Sequence, residues 1–141
     1  MLYRALLSLS VVLVFSANSL AENWPQWRGP NANSVVPDGD YPASWSAEDG
    51  VNWKIAIPGK GSSTPVIWED SIFLTYNVGP AANTVACLDR QGKEKWKVEL
   101  GTAVPGKYGI ASGANPSPVT DGTYVYVFFK SGNLACLDFD G

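Results

Sequence analysis

The stretch Val85-Ala-Cys-Leu-Asp-Arg-Gln-Gly-Lys-Glu-Lys-Trp96 decides how the chain folds, because part of it returns as Leu134-Ala-Cys-Leu-Asp-Phe-Asp-Gly141. It reads as strand, tight turn, strand. A β-branched and apolar run is followed by Asp89 and Gly92, spaced as the first and fourth residues of a type I turn, and then by an alternating strand that holds Trp96.

Working outward, four strands are expected between Thr64 and Leu100: Thr64 to Trp68, Ser71 to Tyr76, Asn83 to Leu88 and Glu94 to Leu100. After the long link Gly101 to Pro116 the pattern restarts. Pro65-Val66 matches Pro118-Val119 and Ile72-Phe-Leu74 matches Val125-Tyr-Val127, both at an offset of 53 residues, while Cys87-Leu-Asp89 matches Cys136-Leu-Asp138 at 49. The second unit has therefore lost four residues in its middle hairpin, where Lys130-Ser-Gly-Asn133 replaces Asn77 to Asn83. A sheet repeat of this size predicts an all-β propeller, or a similar array, of four-stranded antiparallel blades. One full blade is expected over 64–100 and an incomplete one over 117–141. Val51 to Ile57 alternates like a strand and carries Trp53-Lys54 as Glu94 to Leu100 carries Trp96-Lys97, so it reads as the last strand of a preceding unit. The sequence stops at Gly141 inside the repeated turn, and the expectation is a propeller incomplete in this chain, an N-terminal fragment of a longer protein.

Residues 1–21 read as a signal peptide. Arg4 supplies the positive start, Ala5 to Phe15 the apolar segment and Ser19-Leu20-Ala21 the small residues before a cleavage site. The apolar run falls short of the roughly 20 residues a spanning helix needs. Export to the periplasm or cell surface is expected, with no membrane span after cleavage. Residues 22–50, with Pro25, Pro30, Pro37 and Pro42 and no sustained period, read as an extended arm. Its tryptophans, Trp24, Trp27 and Trp45, are expected to lie along the body, since each indole carries on the order of 150–250 Å² that favours burial.

Beyond residue 21 the chain has nine Lys or Arg against thirteen Asp or Glu. That balance excludes a nucleic-acid surface, which needs a basic patch. Arg90, Lys93, Lys95 and Lys97 read as a solvated strand face that protects a sheet edge. Cys87 and Cys136 occupy equivalent repeat positions, expected to lie beyond the roughly 7 Å Cα separation a disulfide tolerates, and both read as small buried hydrophobes. The chain has no histidine, no Cys-x-x-Cys pair and no phosphate-binding glycine loop, so no catalytic, cofactor or metal residues are assigned.

The repeat resembles the quinoprotein-type (PQQ-like) tryptophan-docking propeller repeat, whose pattern is Ala-x-Asp-x-x-Thr-Gly-x-x-x-Trp. Cys87 takes the alanine place, Asp89, Gly92 and Trp96 match, and Gln91 replaces threonine; Cys136, Asp138 and Gly141 follow in the second copy. Trp24-Pro-Gln-Trp-Arg-Gly-Pro30 is also similar to the start of exported bacterial proteins of the quinone-binding-like propeller type. The resemblance implies that Trp53 and Trp96 lie across interfaces between blades, with Asp89 and Gly92 shaping the turn. It implies that the loops Asn77–Ala82 and Gly101–Pro116 emerge on one face, where Asn77, Lys107, Tyr108 and Asn115 either present groups to a ligand or seal the face. Two functions follow as expectations. One is a non-enzymatic binding or scaffold module taking a protein or small ligand on the loop face. The other is part of a PQQ- and calcium-dependent quinoprotein dehydrogenase, which also needs adjacent cysteines and acidic calcium ligands.

Overall fold

In the computed structural model the described residues are 22–36, 39, 41–107 and 111–141; the expected signal peptide lies outside them. Among the described residues seven strands form two antiparallel sheets, and no α-helix occurs. The first sheet holds β1 (Val66–Trp68), β2 (Ser71–Val78), β3 (Ala82–Leu88) and β4 (Glu94–Glu99) in that order. The second holds β5 (Val119–Thr120), β6 (Val125–Phe128) and β7 (Leu134–Leu137). Within each sheet every strand is hydrogen-bonded to its sequence neighbour, a meander, and the two sheets do not close into a ring. No described helix is long and apolar enough to cross a membrane.

The quoted stretch folds as its residues dictate. The Gly92 amide donates to the Asp89 carbonyl at 3.0 Å, and the Asp89 carboxylate accepts from the amides of Gln91 at 2.9 Å and Lys93 at 2.8 Å. Gly92 has φ +79°, and the β3–β4 register slips between Cys87 and Leu88, so the turn exits through a bulge. Asp138 repeats the arrangement, accepting from the amides of Asp140 and Gly141 at 3.0 Å each.

The core lies between the sheets. Val66, Phe73, Val85 and Cys87 of the first pack with Val125, Val127 and Phe129 of the second, and Trp96 and Phe139 pack against that cluster. Trp96 reaches across: its indole N–H donates to the Phe139 carbonyl at 2.7 Å, and a Cβ on Gly141 would sit 3.1 Å from its ring. Trp53 does the same one unit earlier. Its N–H donates to the Arg90 carbonyl at 2.7 Å, and a Cβ on Gly92 would sit 2.7 Å from its ring. Trp53 thus contacts the turn that holds Arg90 and Gly92, and Trp96 the turn that holds Phe139 and Gly141, while the Asp89 carboxylate accepts from amides of its own turn.

Three expectations are corrected. Val51–Ile57 is not a strand: no backbone among the described residues offers it a ladder, and the Trp53 side chain holds it in place. Cys136 is exposed, because β7 is an edge strand and nothing among the described residues covers its outer face, whereas Cys87 is buried in the core. Of the arm tryptophans, only Trp24 docks. Its backbone bridges Ile67 at 2.8 and 2.9 Å, and the next carbonyl, that of Pro25, accepts from the Thr120 amide at 2.9 Å, so the arm ties β1 to β5. Trp27 and Trp45 remain 64% and 71% exposed; the Arg28 guanidinium covers the Trp27 ring at 5.8 Å.

The basic hairpin lies on the edge strand, as expected. Lys95 donates to the Ser71 hydroxyl at 2.9 Å and Lys97 faces Glu94 at 3.9 Å, an exposed pair of little energetic weight. The two thiols should differ in chemistry. Burial pushes the Cys87 thiol up, so it stays protonated and unreactive in the native protein, while Cys136 is open to reagent. Iodoacetamide followed by peptide mass spectrometry should label Cys136 in dilute native protein and Cys87 only after unfolding.

Candidate functional site

The two loops expected on one face do meet. The turn after β2 (Gly79, Pro80) and the link between the sheets (Pro105, Gly106, Ala111, Ser112) line a cleft of about 530 Å³, with Gly59, Lys60 and Asn77 completing its wall. Backbone pairing sets the near wall. Lys60 and Asn77 exchange amide-to-carbonyl bonds at 3.0 and 2.8 Å, bringing the Pro58–Ser63 link alongside the end of β2. Gly59 is required there, because a Cβ would collide with the Asn77 carbonyl and lie 2.8 Å from the Tyr76 ring. On the far wall, the Lys130 ammonium donates to the Pro105 carbonyl at 2.9 Å and its amide to the Gly113 carbonyl at 3.0 Å.

Asn77 is buried at the floor. Its Nδ2 donates to Asn83 Oδ1 at 2.8 Å, while its own Oδ1 has no partner, a buried acceptor that costs about 1–3 kcal/mol. Asn83 is fully buried, and its Nδ2 faces four acceptors: the Leu100 and Thr102 carbonyls at 3.2 Å each, Ser131 Oγ at 2.9 Å and Asn133 Oδ1 at 3.1 Å. This amide network anchors the link to both sheets beneath the cleft. The sequence reading did not single out Asn83, although an asparagine near the start of a mostly apolar strand, facing a second asparagine across the hairpin, was a usable signal.

The other candidates are dispersed. Asn115 lines a separate cleft of about 320 Å³ with Trp27, Ser62, Thr64, Pro116 and Ser117. Lys107 is exposed beside Gly106, and Tyr108 lies outside the described residues. A third recess, about 170 Å³, has Tyr76 in its wall; burial first, then the negative charge of Glu94 and Glu99, pushes that phenol up and keeps it neutral.

Among the described residues the main cleft offers one ionisable side chain, Lys60, beside the side chains of Asn77 and Ser112 and an otherwise apolar lining of glycine, proline and alanine. Such a set suits hydrogen bonding and apolar contact, and it contains no acid–base pair. Among the described residues no three His, Cys, Asp or Glu side chains gather to hold a metal ion, and the two cysteines belong to different sheets. Compared with family models, with curated proteins and with solved structures, the chain has no match in any of the three.

Proposed function

We propose that the chain belongs to an exported β-propeller, with β1–β4 as one complete blade and β5–β7 as most of the next, and that it acts as a non-enzymatic binding module. Its ligand is a small molecule or an extended protein segment received on the loop face. One observation carries the reading: the turn after β2 and the inter-sheet link converge on a single concave, mostly apolar cleft of about 530 Å³, within the size range of small-molecule sites. The repeated indole docking of Trp53 and Trp96 supports the blade assignment, and the charged, apolar and small-residue pattern of residues 1–21 supports export. The dehydrogenase alternative finds neither adjacent cysteines nor a cluster of calcium ligands among the described residues, so no step is built on it.

A fragment-library titration followed by amide NMR tests the cleft. Aromatic amide and amphipathic fragments should shift the Gly59, Gly79 and Gly106 resonances together, and Pro80→Trp, which places an indole at the cleft mouth, should abolish the response. Shifts confined to other surfaces would overturn the site. Dye-linked alcohol oxidation by the protein loaded with pyrroloquinoline quinone and calcium would overturn the non-enzymatic assignment.

A further inference from the structure

The second cleft, of about 320 Å³, differs in chemistry from the main one. Among the described residues its lining holds one indole, Trp27, four neutral polar side chains, Ser62, Thr64, Asn115 and Ser117, and no ionisable group. It lies on the seam between the two units. Ser62 and Asn115 stand 53 residues apart, as do Thr64 and Ser117, the offset that relates Val66 of β1 to Val119 of β5. Equivalent positions of successive units therefore share one opening, and backbone bonds fix them there. The Ser62 amide donates to the Ala114 carbonyl at 3.2 Å, and the Thr64 amide donates to Ser117 Oγ at 2.9 Å.

These polar side chains are held in place with bonding capacity to spare. Among the described residues Ser62 Oγ, Thr64 Oγ1 and Asn115 Nδ2 have no hydrogen-bond partner, and Ser117 Oγ accepts one bond while donating none. Asn115 Oδ1 is met only by the Ser112 hydroxyl at 3.5 Å, beyond the usual O–H···O range. Hydroxyls and primary amides both donate and accept, so the set can exchange hydrogen bonds in either direction with further hydroxyls. The indole is placed by the arm. The Pro25 carbonyl is anchored to β5 through the Thr120 amide, and the next turn, closed by the Gly29 amide on the Gln26 carbonyl at 3.0 Å with Arg28 at φ +71°, carries Trp27. The Arg28 guanidinium lies over the ring at 5.8 Å and donates from Nε to Ser34 Oγ at 3.2 Å, yet the indole stays 64% exposed.

We propose that this cleft binds a neutral saccharide, with a pyranose ring stacked on the Trp27 face that Arg28 leaves open and its hydroxyls bonded to Ser62, Thr64, Asn115 and Ser117. The C–H bonds on one side of a pyranose present an apolar, weakly positive surface to the negative face of an indole, while its hydroxyls need partners that both donate and accept. The lining selects against other classes. An anion finds no counter-charge in it, a cation meets Arg28, and a flat aromatic ligand would stack but leave the four polar side chains unused. A volume of about 320 Å³ is at the small end of ligand sites and suits the terminal unit of a sugar chain. About a dozen ligand atoms at ordinary ligand efficiency give a Kd on the order of 1 mM. The site shares no lining residue with the main cleft, and its failure would leave that reading standing.

The test is NMR of the labelled protein titrated with maltose, cellobiose and diacetylchitobiose, neutral disaccharides that differ in linkage and substituents. At least one should shift the Trp27 indole N–H and the Ser62 and Asn115 amides together and saturably. Trp27→Ala, at an exposed position, should weaken that binding at least about tenfold and leave the urea midpoint unchanged. The double variant Ser62→Ala, Asn115→Ala, also at exposed positions, should weaken it about tenfold through lost hydrogen bonds. Adenosine, a flat aromatic control, should leave these resonances in place. Saturable shifts with none of the three sugars, an unaltered Kd in either variant, or an equal response to adenosine would each overturn the proposal.

Discussion

Trp96→Ala is expected to lower the unfolding free energy by about 2–4 kcal/mol, below the roughly 3–5 kcal/mol typical of a fully buried tryptophan because this indole is only half-buried. Its ring packs against Phe73 at 6.0 Å between centroids, rests over Gly141 and donates its N–H to the Phe139 carbonyl. Phe73 in turn stacks edge-on with Phe139 at 4.9 Å, so removing the indole opens a gap beside a ring pair that joins the two sheets. Trp96→Phe separates the two contributions. It restores most of the apolar contact but leaves the Phe139 carbonyl without its donor, a loss of about 1 kcal/mol. Urea unfolding of the three proteins should place the phenylalanine variant closer to wild type than to the alanine variant. Because the indole couples the sheets, Trp96→Ala should also broaden the transition, as the second sheet begins to melt separately. Equal midpoints for wild type and Trp96→Ala would remove the indole from the interface account.

The contrast between what was and was not legible follows from the range of each interaction. The Asp89–Gly92 turn, the strand alternation and the repeat offsets are local or periodic, and the four strands of the first sheet fall within two residues of their expected limits. Val51–Ile57 had the same local signal and did not become a strand, since a ladder needs a second backbone and alternation alone supplies none. Burial was misread at Cys136 for a related reason: equivalence with Cys87 gives the direction of a side chain, while its cover comes from whichever sheet lies next to it. The convergence of the two loops was legible from repeat topology. The floor of the cleft was not, because the Asn83 network joins residues as far apart as 83 and 133 through side-chain bonds that leave no periodic trace.

That network is the subject of the second large effect. Asn83→Ala should destabilise the protein by about 3–5 kcal/mol, since it removes a fully buried amide and leaves the Leu100 and Thr102 carbonyls and the Asn77 Nδ2 without partners, each orphan costing about 1–3 kcal/mol with partial relief from relaxation. Asn77→Ala should cost less, about 1–2 kcal/mol, because the Asn83 Oδ1 that it leaves without a donor is offset by deleting the Asn77 Oδ1 that already lacks a partner. The asymmetry distinguishes a network from a simple pair, in which either truncation would hurt similarly. In a double-mutant cycle the two changes should be less than additive, because the Asn77 Nδ2 orphaned by Asn83→Ala is absent from the double variant. Hydrogen exchange locates the damage. The Leu100 amide, bonded to the Asn83 carbonyl at 2.7 Å, and the Asn83 amide, bonded to the Gly101 carbonyl at 3.0 Å, should lose protection if the link peels from the first sheet, while the Asp89 turn at the opposite end of β3 keeps its own. Since the same link forms the far wall of the cleft, a variant that unfolds only there would weaken fragment binding before it weakens the core, tying the stability of one buried amide to the shape of the proposed binding face.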